Sequence, residues 1–182
     1  MNVMGRGRKP NRMPLAGAAV LCILAGSTLP GRAGAEEVPA RAVPFSSDPG
    51  LAAEQRAAYE VVHRYEQLLN AGDTAGILAL YAPDGVAEWN NKPTFATTDD
   101  KRAAYDALFK VAKFDTVFGY AGIDVAGDTA VVRTFHHEGA TVLEGGKKVV
   151  DLNREVFVLR KVDGAWKIGL YIFNTDPVQG EG

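Results

Sequence analysis

Apolar residues at Leu51, Ala58, Val62, Tyr65 and Leu69, with Leu68 alongside, recur at the spacing of one helix face, while Glu54, Arg56, Glu60, Arg64 and Glu66 take the other side. The pattern predicts an amphipathic helix that begins at Asp48-Pro49 and stops at Gly72. Asp48 can accept from the free first-turn amides, and Pro49 fits a turn where no donor is missed. Asp73 predicts the cap of a second helix that turns Ile77, Leu78, Leu80 and Tyr81 inward and ends at Pro83. Thr97 and Thr98 followed by Asp99 and Asp100 predict a third, packed through Ala104, Leu108, Phe109 and Ala112. After it the pattern becomes that of strands, predicted over residues 116–125, 129–143, 148–162 and 166–174 and joined by turns at Gly127-Asp128, Gly145-Gly146 and Asp163-Gly164. Three helices thus precede a long antiparallel meander, an α+β arrangement without internal repeats.

The amino terminus follows another pattern. Arg6, Arg8, Lys9 and Arg12 form a basic start, residues 15–26 are an apolar run short for a bilayer, and Ala33-Gly34-Ala35 is a small-residue cleavage site. This predicts a signal peptide over residues 1–35, cut after Ala35, and a periplasmic or secreted protein. An uncleaved anchor is the alternative, and Cys22 lacks the small-residue context of a lipid-bearing cysteine. Residues 36–47, with Pro39 and Pro44, read as a flexible leader, residues 48–176 as one domain and 177–182 as a tail.

Removal of residues 1–35 changes the charge. The chain has 20 basic and 22 acidic residues, and five of the basic ones lie in that segment, which leaves 15 against 22, about −7. A negative surface does not suit a nucleic-acid partner, and no membrane partner is expected after cleavage. The single cysteine leaves with the signal, so the exported protein would have no disulfide and no thiolate chemistry. No phosphate loop, dinucleotide fingerprint or Ser-His-Asp order is present, and no cofactor is implied.

The run Val61-Val62-His63-Arg64-Tyr65-Glu66-Gln67-Leu68-Leu69-Asn70-Ala71-Gly72-Asp73, continuing to Leu80-Tyr81-Ala82-Pro83-Asp84-Gly85, together with Asp163-Gly164-Ala165-Trp166-Lys167-Ile168-Gly169-Leu170-Tyr171, resembles the nuclear transport factor 2-like superfamily. That superfamily includes ketosteroid isomerase and the SnoaL-like polyketide cyclases. The resemblance implies an α+β cone, three helices packed on a strongly curved antiparallel sheet with a central cavity. It does not imply one reaction, because the superfamily puts isomerases, dehydratases, cyclases, binding proteins and assembly domains on this scaffold.

Read from the residues, the cavity would be lined by Tyr65 from the first helix and by one face of the strand over 148–162, where Asp151, Asn153, Glu155, Phe157 and Leu159 alternate. Those acids either form a pocket mouth or simply reach solvent beyond the core. By the resemblance, Tyr65 falls on the isomerase tyrosine that donates to the substrate carbonyl, Glu155 on the second oxyanion donor, and Trp89 on the catalytic base. An indole cannot abstract a proton, and Glu88 beside it would point to the opposite face unless a bulge reversed the register. In His136-His137-Glu138, His136 and Glu138 share a face. Two ligands do not make a zinc site, and His63 could add a third only if the fold brought it close, so no metal is expected. Whichever of His136 and His137 faces inward would be an acid or base in place of the missing carboxylate. The expected pocket is therefore Tyr65, Trp89, Asn153, Glu155 and Phe157. The sequence leaves open a cone that binds a small hydrophobic molecule, a cofactor-independent isomerase, dehydratase or cyclase acting through Tyr65, Glu155 and His136 on a small carbonyl compound, and a homodimeric assembly module.

Overall fold

The computed structural model describes residues 43–144, 146–149 and 153–175, without the side chains of 135–144, 148 and 149. The predicted signal peptide and its expected cut after Ala35, most of the predicted leader, Asp151, the predicted tail and the side chains of His136, His137 and Glu138 lie outside the described residues. Asp48 accepts from the Leu51 amide at 2.8 Å and opens α1 (Pro49–Ala71), and Gly72, at φ 67°, closes it in the left-handed conformation that suits glycine. Asp73 caps α2 (Thr74–Leu80) through the Gly76 amide. Thr97 and Asp100 exchange side-chain and backbone bonds in a capping box that starts α3 (Thr98–Val111). The strands are β1 (Tyr81–Glu88), β2 (Ala112–Ala126), β3 (Thr129–Glu144), β4 (Lys147–Val149), β5 (Asn153–Val162) and β6 (Ala165–Thr175). No described helix is long and apolar enough to cross a membrane.

The sheet runs β1-β6-β5-β3-β2, with β4 on β3. The strands after α3 pair antiparallel as the expected meander, but the sheet as a whole is mixed and not wholly antiparallel, because β1 pairs with β6 in parallel. The expectation came from tight turns, and those fix the directions of β2, β3, β5 and β6 only. A whole helix, α3, separates β1 from the first hairpin, so no turn dictates its direction. Pro83 lies in this edge strand, where a missing donor is tolerated. Tyr81, expected in the second helix, is instead the first residue of β1 and is buried there. Of the strand expected over 148–162, the described residues pair with β3 antiparallel, β4 at Val142–Glu144 and β5 at Thr129–Arg133.

Curvature comes from β2, whose pairing to β3 shifts at Asp115/Val117, Phe118/Tyr120 and Tyr120/Gly122. Each shift strands backbone groups that a buried strand must satisfy. Helix α1 supplies the partners. Asn70 accepts from the Thr116 amide at 2.9 Å and donates to its carbonyl at 2.8 Å, Glu66 accepts from the Phe118 amide at 2.5 Å, and Gln55 donates to the Ile123 carbonyl at 2.7 Å. Glu66 and Asn70 are four apart and so share a helix face. Val62, Tyr65, Leu68 and Leu69 pack from α1 into the core with Ile77, Phe157, Leu159 and Ile168.

Three further expectations change. Leu51 is 38% exposed and outside the core. On α3 the fully buried side chains are Lys101 and Tyr105, while Leu108 and Phe109 are half-buried and Ala112 already belongs to β2. Residues 43–47 are not a free leader. Phe45 meets Tyr59 edge-on at 5.8 Å under the Arg56 guanidinium, and the Ser46 amide donates to Gln55 at 2.6 Å.

Candidate functional site

Between α1, α3 and the inner face of the sheet lies a cavity of about 90 Å³. Its walls are mainly aromatic. Tyr65 comes from α1, Tyr105 from α3, Trp89 from the residue after β1, and Tyr171 and Phe173 from β6. Their rings close a circuit. Centroid separations run 6.4 Å from Tyr65 to Tyr105, 4.9 Å to Trp89, 6.1 Å to Phe173, 5.9 Å to Tyr171 and 5.1 Å back to Tyr65. Leu69, Leu108 and Phe114 complete the apolar wall, and Thr116, Asn153 and Glu155 the polar one.

Glu155 is 2% exposed. Its carboxylate accepts from the Thr134 hydroxyl, and its amide donates to that same oxygen at 3.1 Å. Strict alternation along β5 turns Asn153, Glu155, Phe157 and Leu159 inward together. Asn153 and Glu155 reach the cavity. Phe157 does not line it but lies one layer deeper, fully buried, stacked on Tyr171 at 4.5 Å and edge-on to Tyr65 at 5.2 Å.

Behind the collar the hydroxyls bond to one another, Tyr65 to Tyr105 at 2.8 Å and Tyr105 to Tyr81 at 3.2 Å. Burial raises the pKa of all three well above the ordinary phenol value, with neighbouring tyrosines adding to the shift. Tyr171 is raised likewise, first by burial and then by the negative charge of Glu155. These hydroxyls therefore stay neutral across physiological pH. The Trp89 indole nitrogen is buried without a hydrogen bond among the described residues. Glu88 is exposed on the opposite face of β1 and does not replace the missing base. Lys101 sits one helical turn before Tyr105, donates to the carbonyls of Gly85 at 2.6 Å and Ala96 at 3.2 Å, and is not part of the cavity wall. Burial lowers its pKa.

His136 is placed only by its backbone in β3, and its side chain lies outside the described residues. His63 stacks on Tyr59 at 5.4 Å with Nδ1 3.5 Å from Glu66, away from the cavity wall. Among the described residues no group of three His, Cys, Asp or Glu side chains could hold a metal.

Of these wall residues Tyr65, Trp89, Asn153 and Glu155 were expected from the sequence, and Tyr105, Tyr171 and Phe173 were not. A shift in the β5–β6 pairing, from Leu159 opposite Ile168 to Val158 opposite Leu170, leaves Gly169 as the extra residue. Inner positions thus run Trp166, Ile168, Tyr171 and Phe173 instead of continuing at Leu170. Gly169 inside a strand was the available signal.

A family model described as SnoaL-like domain matches residues 62–168. No curated protein matches the sequence. Among solved structures, a ketosteroid isomerase-like protein from Erwinia carotovora atroseptica superposes with a TM-score of 0.62 at 21% identity, over 69% of this chain and 98% of its own. An NTF2-like protein with a cystatin-like fold from Novosphingobium aromaticivorans gives a TM-score of 0.57 at 21% identity, over 71% and 86%. An NTF2-like protein of unknown function from Pseudomonas putida gives 0.56 at 21%, over 71% and 90%. At these identities the likeness is one of fold.

Proposed function

The chain belongs to the SnoaL-like domain family, and from that premise we propose that it binds a small, largely apolar molecule inside its cone. The observation that carries this is the circuit of aromatic rings around the cavity, with Glu155 and Asn153 on one wall. Size limits the ligand. A cavity of about 150 Å³ lined by apolar side chains holds one benzene, so about 90 Å³ leaves no room for a steroid without rearrangement. Binding is preferred to enolising catalysis because Trp89 lines the cavity where the resemblance puts the base, and Glu88 faces away.

The basic start, apolar run and Ala33-Gly34-Ala35 site support export, so the proposal includes a periplasmic or secreted location. The proposal extends to a homodimer through the outer face of the sheet, where Val131, Val156, Val158, Leu170 and Ile172 adjoin and stay half-exposed in the single chain.

A thermal-shift screen with neutral and charged organic molecules of four to seven non-hydrogen atoms tests the binding. A ligand at a hundred times its Kd adds about 2.7 kcal/mol of stability. At least one compound should stabilise the wild type and not Trp89→Ala. If every compound in that size range leaves the melting temperature unchanged at millimolar concentration, the binding proposal fails.

A further inference from the structure

The wall of the cavity carries a buried donor that no described residue satisfies. The Trp89 indole nitrogen is buried and makes no hydrogen bond among the described residues, and Trp89 lines the cavity. Its ring meets that of Tyr105 at 4.9 Å with the planes 76° apart, so one ring turns its edge to the other. The Tyr105 pKa is raised first by burial, and the Trp89 N–H is among the groups that oppose the rise. The nitrogen therefore lies on the hydroxyl side of Tyr105, near that oxygen but out of bonding geometry. A buried N–H left unpaired is rare and costly. A ligand oxygen that accepts its proton does as well as a water there, whereas an apolar group in the same place leaves the donor unsatisfied.

The hydroxyls beside it also hold more protons than bonds. Tyr65, Tyr105 and Tyr81 share two hydrogen bonds among three hydroxyls, which leaves one proton of that chain over. Thr116, Asn153 and Tyr171 bring further hydroxyl and amide groups to the cavity, and the Glu155 carboxylate accepts from Thr134. Negative charge is disfavoured on a ligand here. Burial raises the pKa of Tyr65, Tyr105 and Tyr171, and the surroundings that keep those phenols neutral penalise a carboxylate beside them in the same way. No lysine, arginine or histidine is among the described residues lining the cavity to offset that penalty.

Resting on the binding proposal above, we infer that the ligand carries a neutral acceptor oxygen, as in a carbonyl, sulfoxide or ether, and that the Trp89 indole N–H is the donor that fixes it. The polar anchor is then Trp89 and not Tyr65, whose hydroxyl is already bonded to Tyr105. Volume sets the size of the group that enters. Scaled from the roughly 150 Å³ that holds the six carbons of benzene, the cavity takes about four non-hydrogen atoms, the size of acetone.

The test separates the acceptor from its shape and from charge. NMR titrations of the purified, ¹⁵N-labelled full-length chain use acetone, 2-chloropropane, which has nearly the same shape but accepts hydrogen bonds only weakly, and sodium acetate, which adds a negative charge. Acetone should move the Trp89 indole proton downfield and saturably, as a proton that gains an acceptor does, and 2-chloropropane should not. Acetate should bind about tenfold or more weaker than acetone. Trp89→Phe keeps an aromatic wall without the N–H, and it should lower the affinity for acetone relative to that for 2-chloropropane by about tenfold. Damage to the wall alone would weaken both alike. The wild-type titrations decide the matter even where that variant fails to fold. If acetone binds without the downfield shift, or if the variant leaves the ratio of the two affinities within about twofold, the Trp89 anchor is overturned and the cavity proposal stands. If acetate binds as tightly as acetone, the neutral acceptor is overturned with the same consequence. If every compound that binds, here or in the thermal-shift screen, lacks an acceptor oxygen, the result is again the same. If nothing binds in either experiment, both proposals are overturned.

Discussion

Tyr105→Phe removes one oxygen atom and should be among the costliest single-atom changes in this protein. The ring stays, so packing against Trp89 and Phe109 is kept. What goes is the hydroxyl that partners both Tyr65 and Tyr81. Both are buried, at 1% and 7% exposure, so water does not readily replace it. A buried polar group left unsatisfied costs about 1–3 kcal/mol, against about 0.5–1.5 kcal/mol for an ordinary hydrogen bond. Tyr171 lies close enough to Tyr65 to interact with its hydroxyl, which leaves Tyr81 as the main orphan. We therefore expect a loss of about 2–4 kcal/mol for Tyr105→Phe and about 1 kcal/mol for Tyr81→Phe, where Tyr105 keeps its bond to Tyr65. The double variant should lose less than the sum of the two, since removing both oxygens at that link leaves no orphan there. Urea unfolding at pH 7 followed by circular dichroism measures all three. A Tyr105→Phe variant within about 0.5 kcal/mol of wild type, or one less destabilised than Tyr81→Phe, would refute the network.

Asn70→Ala should cost about 2–4 kcal/mol in the same assay, because it unpairs both the amide and the carbonyl of Thr116 at a bulge. Gly85→Ala should cost more than about 3 kcal/mol, since its Cβ would stand 2.4 Å from the Ile168 carbonyl oxygen and force β1 off β6. If Gly85→Ala unfolds like wild type, the β1–β6 pairing is wrong. All six tyrosines have folded-state pKa values raised above that of free phenol, burial being the first cause in each. The unfolded chain then releases protons near pH 10 while the folded one retains them. The stability these groups contribute is complete below pH 10 and is lost as pH rises above it. Most of the tyrosinate absorbance at about 295 nm should appear only with cooperative alkaline unfolding, Tyr59 being partly exposed, and a gradual titration of all six centred on pH 10 in the folded protein would contradict the burial.

The starts of the three helices and the end of α1 were legible in the sequence because their signals are local. Asp48, Asp73 and Thr97 each accept from the amide three residues on, and Gly72 takes the backbone conformation that stops α1. Tyr65 and Glu155 were legible for a related reason, since α1 is an uninterrupted helix and β5 alternates without a slip from Asn153 to Leu159. Tyr171 and Phe173 were not, because the slip at Gly169 exchanges the faces of β6. On α3, Lys101 reads as a solvent residue by type. Its burial depends on the carbonyls of Gly85 and Ala96, distant contributions that no helical period encodes. Direction in β1 was hidden similarly, since its partner β6 lies at the far end of the domain sequence.

The chain has two tryptophans, and they report on different places. Trp89 lines the cavity, while the Trp166 indole donates to Glu54 at 3.2 Å outside that wall. The most direct measurement is therefore the pair of indole N–H signals in a ¹⁵N-resolved NMR spectrum, assigned with Trp166→Phe and followed through titration with whichever compound stabilises the protein most. The account requires the Trp89 signal to shift saturably at the ligand's Kd while the Trp166 signal stays in place. A bound ligand that moves Trp166 and leaves Trp89 unchanged would contradict a binding site inside the cone.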